Sequence, residues 1–171
     1  LSALTPEQSL IDLRAITDEA VDRVYDVARS QQVRVSVEGL DEPPLIAGDS
    51  SLLMRAIANL LDNAIRYSPK SGVVRCSIRL KERSEAATCD YLECTVADQG
   101  PGIPPERLAA LFQRFGPNDP SKELSAGLGL AFVKRAVDLM GGSITLESAT
   151  GGTTFVVAFP VAVSPESIDP A

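Results

Sequence analysis

Residues 50–67, SSLLMRAIANLLDNAIRY, carry the pattern that decides the fold. Apolar side chains recur every three or four positions, and this spacing predicts an amphipathic helix with one face toward a core. Asp49 or Ser50 supplies the N-cap, and the Ser68-Pro69 pair ends the helix. The core-facing side chains are Leu53, Ile57, Leu60, Leu61 and Ala64.

A polar stripe borders this apolar face. Asn59, Asn63 and Arg66 are spaced by four and three residues, so they lie on one side of the helix. Asparagine is unfavourable inside a helix because its amide competes for backbone hydrogen bonds, and two of them one turn apart suggest a lined cleft. Asn63 could offer its amide oxygen to a hard cation such as Mg²⁺, and Arg66 could meet a phosphate. The same stripe also fits the partly solvated edge of an ordinary amphipathic helix.

The remaining periodicities predict blocks of helix and strand around this helix. Helical spacing covers residues 9–29 and 128–140, and a short helix is expected at 106–112. Alternating apolar residues predict strands at 33–37, 74–80, 92–96, 143–147 and 153–159, the last two as a hairpin. Residues 38–49 are expected to form a loop, and 81–90 an exposed connection between neighbouring strands. This order predicts an α+β fold, a two-layer sandwich.

Composition and charge exclude several classes of protein for this sequence. The 171 residues are 44% hydrophobic, enough for the core of one domain, and 16 basic against 23 acidic residues give a net charge of −7. That balance disfavours nucleic acid as a partner, and no apolar run is long enough to span a membrane. The chain has no histidine, which excludes a Ser-His-Asp triad and a histidine-ligated metal. Three cysteines without metal-ligand spacing fit core packing in a reducing, cytosolic compartment.

The segment DQGPGI, residues 98–103, follows the second predicted strand of the central pair. Strand alternation turns Asp98 inward, and a buried carboxylate is costly unless something donates hydrogen bonds to it. A ligand with an amine, such as the exocyclic amino group of adenine, would satisfy it. Gly100 and Gly102 would let a flat ligand approach the backbone. The alternative is an ordinary turn capped by the aspartate.

A second glycine motif, GLGLAFVK, occupies residues 127–134. Two glycines open a predicted helix there, and the first N–H groups of a helix can bind an anion. The motif differs from the phosphate loop of the G-x-x-x-x-G-K-[ST] type. By itself it also fits a tight turn.

Taken together and in this order, the motifs resemble the ATP-binding catalytic domain of sensor histidine kinases. That family shares a superfamily with the gyrase, heat-shock and mismatch-repair ATPases. NLLDNAIRYSP (59–69) is similar to its N box, DQGPGI to its first glycine box, LFQRF (111–115) to its F box and GLGLAFVK to its second glycine box. MGGSITLESATGGTTFVVAFP (140–160) is similar to its closing hairpin. The resemblance implies a Bergerat-type ATP-binding fold, in which helices pack on one side of a mixed, mostly antiparallel sheet.

By that resemblance the site residues take definite roles. Asn63 would ligate Mg²⁺ at the ATP phosphates, with Asn59 beside it as the second member of the catalytic pair. Arg66 would contact phosphate, Tyr67 would pack against the nucleotide, and Asp98 would bind the adenine amino group. The other nucleotide-binding positions would be Gly100, Gly102, Ile103, Phe115, Lys122, Gly127, Leu128, Gly129 and Leu130.

The resemblance also implies the reaction. In the ATP-hydrolysing members a glutamate one turn before the magnesium asparagine activates water, whereas this chain has Asn59, which cannot act as a base. This favours transfer of the γ-phosphoryl group to a histidine on a separate dimerisation domain, with a response regulator as an indirect partner. We expect a cytoplasmic domain without contacts to nucleic acid or membrane. Two alternatives stay open: a regulatory nucleotide-binding module without catalysis, and an ATPase or serine kinase of the superfamily.

The domain limits follow from the same comparison of motifs. Residues 9–163 are expected to form the ATP-binding domain, and residues 104–126 its mobile lid. Residues 1–8 would be a remnant of a linker or dimerisation helix, and 164–171 a C-terminal tail.

Two departures from the family pattern concern the lid. The family often has an arginine shortly after the F box, but Gly116 and Pro117 stand here, which leaves Lys122 or Arg114 to hold the terminal phosphate. The family's extra glycine before the second glycine box is replaced by serine and alanine at 125–126, which predicts a stiffer hinge.

Overall fold

A seven-stranded sheet organises the part of the chain that the computed structural model describes, which is residues 8–104, 106 and 125–163. The elements in chain order are β1 (Ser9–Ile11), α1 (Leu13–Ser30), β2 (Arg34–Gly39), β3 (Leu45–Gly48), α2 (Ser50–Tyr67), β4 (Val73–Lys81), β5 (Tyr91–Ala97), α3 (Ser125–Leu139), β6 (Ser143–Ala149) and β7 (Gly152–Val163).

The sheet is mixed and mostly antiparallel. Its strand order is β1-β3-β7-β5-β4-β2, and β6 also pairs with β7. Only the β2–β4 pair is parallel among these strands. β7 is the hub, because it pairs with β3, β5 and β6. The predicted strand pairs β4–β5 and β6–β7 are both confirmed as antiparallel neighbours.

The helices form one layer on the sheet, with α2 between α1 and α3. Alternate residues of β4, β5 and β7 are buried against this layer: Val74, Cys76, Ile78, Leu92, Cys94, Val96, Phe155, Val157 and Phe159. The apolar face predicted for α2 is confirmed, since Leu53, Ile57, Leu60 and Leu61 are at most 1% exposed. The predicted α+β sandwich is therefore correct, and its core lies between α2 and the central strands.

Asp49 begins α2. Its Oδ1 accepts hydrogen bonds from the N–H groups of Ser51 (3.0 Å) and Leu52 (3.1 Å), so Asp49 rather than Ser50 is the N-cap. The helix ends at Tyr67, because Pro69 cannot continue it and Ser68 already has extended backbone angles.

The N-terminal helix is shorter than its periodicity predicted. It begins at Leu13, because Asp12 caps it by accepting from the N–H groups of Arg14 (2.9 Å) and Ala15 (3.1 Å). Residues 9–11 instead form β1, which pairs with β3. Leu10, predicted to lie on the apolar helix face, is 57% exposed.

Two further differences concern a loop and a helix start. The loop predicted over residues 38–49 contains β3, which is only four residues long and follows two prolines. The helix predicted at 128–140 spans Ser125–Leu139, so both glycines of its motif lie within the helix rather than before it. The predicted short helix beyond residue 106, nearly all of the predicted lid, and both terminal segments (1–7 and 164–171) lie outside the described residues. Within the described ranges, no helix is both long and apolar enough to cross a bilayer.

Candidate functional site

The polar stripe of α2 contains a buried amide nitrogen that has no hydrogen-bond partner among the described residues. Asn63 is only 8% exposed, and its Nδ2 makes no hydrogen bond within the described part of the chain. An unpaired buried amide costs free energy, of order 1–3 kcal/mol. Within the described ranges, this buried side chain therefore has a donor that could bind a ligand.

Asn59 lies one turn earlier and faces the start of α3. A Cβ built on Gly129 would lie 3.8 Å from Asn59 Nδ2. A further turn back, the Arg55 guanidinium stacks over the Phe132 ring at 4.2 Å from its centroid. Arg55 and Asn59 therefore lie along the α2–α3 interface, where Gly129 of the second glycine motif is next to Asn59.

Asp98 lies just beyond β5 and is half-buried. Its Oδ1 accepts from the backbone N–H of Gly100 (2.9 Å) and of Thr153 (3.2 Å). Burial raises the pKa of this carboxyl, and the two backbone hydrogen bonds partly offset that rise. Among the described residues no lysine or arginine pairs with it, and none donates to its Oδ2. One carboxylate oxygen is thus held by the fold, and the other accepts no hydrogen bond from the described residues.

The two glycines after Asp98 are required by the fold itself. A Cβ on Gly100 would lie 2.5 Å from the carbonyl oxygen of Tyr67, at the end of α2. Gly102 has φ +81°, and its Cβ would lie 2.4 Å from the carbonyl oxygen of Ala149. The sequence interpretation explained both glycines by the approach of a ligand. The structure gives a different physical reason, which is close contact between segments of backbone.

Two residues that the motif analysis missed complete this end of the site. Thr153 is 4% exposed and bonds Asp98 through its N–H, and its Oγ1 lies 3.1 Å from Ser148 Oγ. Ser148 Oγ accepts from the N–H of Ile103 at 2.6 Å. Both are polar residues on the inward face of an alternating strand, the same signal that singled out Asp98.

The remaining predicted residues differ in how far the structure describes them. Arg66 is exposed, and its Nε donates to Asp62 at 2.8 Å, which together with the charge of Asp62 raises the pKa of Arg66. Tyr67 is 47% exposed beside Gly100, while Leu130 is buried in the core. Gly127 and Leu128 belong to α3, whose side chains are described only from residue 129. Phe115, Lys122 and Arg114 lie outside the described residues.

The arrangement suits a nucleotide with its metal better than a metal alone. No cluster of three or more His, Cys, Asp or Glu side chains that could hold a metal occurs within the described ranges. Mg²⁺ does not need such a cluster, because it is commonly bound by one or two protein ligands together with phosphate oxygens and waters. Asn63 fits that requirement as an amide oxygen ligand.

Comparison with known proteins agrees with this arrangement. The family model described as "Histidine kinase-, DNA gyrase B-, and HSP90-like ATPase" matches residues 48–163, well over half of the chain. The sensor histidine kinase CusS of Escherichia coli (strain CFT073) is 36% identical over 165 residues, which cover 92% of this chain and 32% of CusS. The chain thus spans about a third of the length of this curated relative.

Solved structures give the same result. A mycobacterial sensor histidine kinase MprB has a TM-score of 0.74 and 31% identity, over 92% of this chain and 100% of that one. Full-length ShkA in complex with AMPPNP has a TM-score of 0.75 at 24% identity, over 96% of this chain and 34% of that one, and supports the fold alone. The chain therefore belongs to the histidine kinase-, DNA gyrase B- and HSP90-like ATPase family and is a catalytic domain of the sensor histidine kinase type.

Proposed function

We propose that this domain binds Mg-ATP and presents the γ-phosphoryl group to a histidine on a separate helical dimerisation domain. The observation that carries the proposal is the buried Asn63 amide, whose Nδ2 has no partner in the described part of the chain. It lies on the same helix stripe as Asn59, which faces the glycine motif of α3. A bound phosphate group with its Mg²⁺ would give this polar stripe the partners that the described residues do not supply.

The base would lie at the other end of α2. Asp98 offers Oδ2 as an acceptor for an amino group, and Tyr67 and Gly100 flank it. Asn59 and Tyr67 are eight residues apart, about 12 Å along the helix axis. A nucleotide would therefore lie along α2, with its base near Asp98 and its phosphates near Asn63 and the start of α3.

The residues of the site suit transfer rather than hydrolysis. When bound, Mg-ATP supplies the phosphoryl group and the cation that offsets its charge. Catalysis of this reaction consists mostly of positioning and charge neutralisation, so the domain need not supply a base. Asn59 has no ionisable group with which to activate water. The remaining predicted positions, Arg66, Phe115, Lys122, Gly127 and Leu128, belong to the same proposal as nucleotide-binding residues.

Partners and location follow from the relatives. CusS is a sensor histidine kinase about three times as long as this chain, and the chain itself has no histidine to accept phosphate. We infer that the acceptor histidine belongs to a dimerisation domain and that a response regulator receives the phosphoryl group afterwards. We assign residues 9–163 to the catalytic domain, 1–8 and 164–171 to flanking segments, and place the domain in the cytoplasm.

Calorimetric titration with ADP and with AMPPNP, each with and without Mg²⁺, tests the binding site. The native chain should bind both nucleotides more tightly with Mg²⁺. Asn63→Ala should remove most of that difference, whereas Gln31→Ala, which removes an exposed amide at the end of α1, should leave it unchanged. The absence of nucleotide binding by the native chain at millimolar concentration would overturn the proposal.

The reaction is tested by adding a histidine-bearing dimerisation domain in trans with labelled ATP. An acid-labile, base-stable phosphoprotein supports phosphoryl transfer to histidine. Nucleotide binding without any labelled protein would identify a regulatory module instead. Steady ATP turnover by the chain alone, or an acid-stable phosphoserine, would identify an ATPase or a serine kinase.

A further inference from the structure

The segment of residues 98–103 has few backbone hydrogen bonds of its own. It follows β5 and belongs to no helix or strand, so its N–H groups need partners from elsewhere. The N–H of Gly100 donates to Asp98 Oδ1 within the segment. The N–H of Ile103 donates instead to Ser148 Oγ, a residue 45 positions later in the chain.

Ser148 is connected in turn to Asp98. Its Oγ lies 3.1 Å from Thr153 Oγ1, and the N–H of Thr153 donates to Asp98 Oδ1. The N–H of Asp98 donates to the carbonyl oxygen of Thr153 at 2.9 Å. The end of the β6–β7 hairpin therefore bonds to both ends of the segment, at Asp98 and at Ile103.

The backbone of residues 98–103 packs directly against the backbone of the β6–β7 hairpin. A Cβ on Gly102 would lie 2.4 Å from the carbonyl oxygen of Ala149, and one on Gly152 would lie 2.4 Å from the carbonyl oxygen of Asp98. The two backbones touch on either side of the hydroxyl pair formed by Ser148 and Thr153. Because the Ile103 N–H is the last anchor of the segment, the Ser148 hydroxyl determines where that end lies.

We propose that Ser148 is a positioning residue of the nucleotide site, acting through the Ile103 N–H to fix the segment that carries Asp98. This inference rests on the proposed function, since it assigns Ser148 to the site that binds the base. Ser148 touches no nucleotide in this proposal. Its effect reaches the ligand through the orientation of the Asp98 carboxylate, and it has no part in the magnesium end of the site.

Four variants of the full chain test this assignment. Ser148→Ala removes the acceptor, and Ser148→Thr keeps it. Thr153→Val breaks the hydroxyl pair but retains the N–H donor to Asp98. Ser143→Ala is the matched control, because it removes an exposed hydroxyl at the opposite end of the same strand.

Two measurements are made on each variant: the Kd for ADP with and without Mg²⁺, and the hydrogen exchange of the Ile103 amide by NMR. Ser148→Ala should weaken ADP binding about tenfold, the loss expected when one buried donor loses its acceptor. It should speed exchange at Ile103, while the ratio of the two Kd values stays native. Ser148→Thr should restore both readouts, Thr153→Val should weaken binding about threefold, and Ser143→Ala should change neither readout.

The outcomes separate this inference from the proposed function. If the native chain binds ADP and Ser148→Ala binds it within twofold with normal protection of Ile103, the positioning role is wrong. An equal speeding of exchange across β5 and β7 would show general destabilisation rather than a local effect at Ile103, and would also overturn it. If the native chain binds no nucleotide, the proposed function fails, and with it any role of Ser148 toward a nucleotide.

Discussion

The two oxygens of the Asp98 carboxylate have different surroundings, so one substitution can test the proposed binding role of this residue without removing its role in the fold. Oδ1 is used by the fold, through the N–H groups of Gly100 and Thr153, whereas Oδ2 has no donor within the described part of the chain. Asparagine at this position would keep an oxygen for the two backbone donors. It would replace the second oxygen by an amino group that repels another amino group.

Asp98→Asn should therefore preserve the fold and weaken adenine nucleotide binding by about five- to 150-fold, since a mismatched buried polar pair costs roughly 1–3 kcal/mol. Calorimetric titration with ADP measures this, with Asp138→Asn as the control because that carboxylate pairs with Lys134 on the surface. Undiminished binding by the asparagine variant would remove Asp98 from the site.

The raised pKa of Asp98 also sets the sign of a pH effect. Burial favours the protonated carboxyl in the folded state. This group therefore contributes most to stability below its unfolded pKa of about 3.9. The contribution is lost as the pH rises through the higher pKa of the folded state. Asparagine does not ionise. Relative to the native chain, the free energy of unfolding of Asp98→Asn should therefore increase from pH 4 to pH 7, as measured by urea unfolding. A relative decrease over that range would contradict the assignment of burial as the dominant cause.

At the scale of elements, the glycines of the turn and of the helix should respond oppositely to alanine. Gly102 has a left-handed backbone and no room beside Ala149, so Gly102→Ala should destabilise the domain by about 2 kcal/mol or more. Gly129 lies in α3 with ordinary contact distance to Asn59, so Gly129→Ala should be neutral or stabilise by up to about 1 kcal/mol. Thermal unfolding of both variants checks this contrast.

Titration of the same two variants with Mg-ADP measures whether either glycine also contributes to nucleotide affinity. If the α3 glycine serves the phosphate end, Gly129→Ala should bind Mg-ADP more weakly despite its greater stability. Native affinity in that variant would assign Gly129 to helix packing alone.

The elements with strong periodicity were predictable from the sequence, and the weak ones were not. The spacing of Leu53, Leu60 and Leu61 indicated α2, and the alternation around Cys76 and Cys94 indicated the β4–β5 pair. β1 and β3 are three and four residues long, too short for a period to emerge, and they are strands because they pair with each other and with β7. In such cases tertiary pairing decides the structure, and local pattern does not.

The site divides in the same way. The sequence singled out Asn63 by its spacing from Asn59 on the helix and Asp98 by its inward strand position, and their roles toward a nucleotide stay predictions. The backbone crowding at Gly100 and Gly102 could not be predicted, because the atoms that crowd them, on Tyr67 and Ala149, are distant in sequence. For the residues beyond 106 in the lid segment, including Phe115 and Lys122, the sequence predictions stand as predictions.

At the scale of the whole molecule, the cysteines report on the integrity of the core. Cys76 and Cys94 are fully buried beneath the helices, whereas Cys89 lies partly exposed in the connection between β4 and β5. The hydrogen bond that the Cys76 thiol donates to Cys94, together with burial, raises the pKa of Cys76 far above its usual range, so this thiol stays protonated and unreactive.

A thiol reagent should therefore label the native chain once, at Cys89, and label all three cysteines in denaturant. The rate at which Cys76 and Cys94 react in native buffer should follow the opening of the core, and it should fall when nucleotide binds. Mass spectrometry of the labelled peptides measures both. Rapid labelling of Cys76 in native buffer would contradict the packing of helices on this face.

The position of β7 in the sheet has a consequence for biosynthesis. The strand that joins β3, β5 and β6 is the last of these to leave the ribosome, so a nascent chain that has reached only the turn at Gly151 has its helices but no completed sheet. Until then the inner faces of β4 and β5 lack their neighbour, and Asp98 lacks Thr153. The ribosome must therefore translate β7 before the domain can bind its nucleotide. A stop codon upstream of that strand should give an unfolded chain that proteases degrade, and not a folded domain of lower affinity.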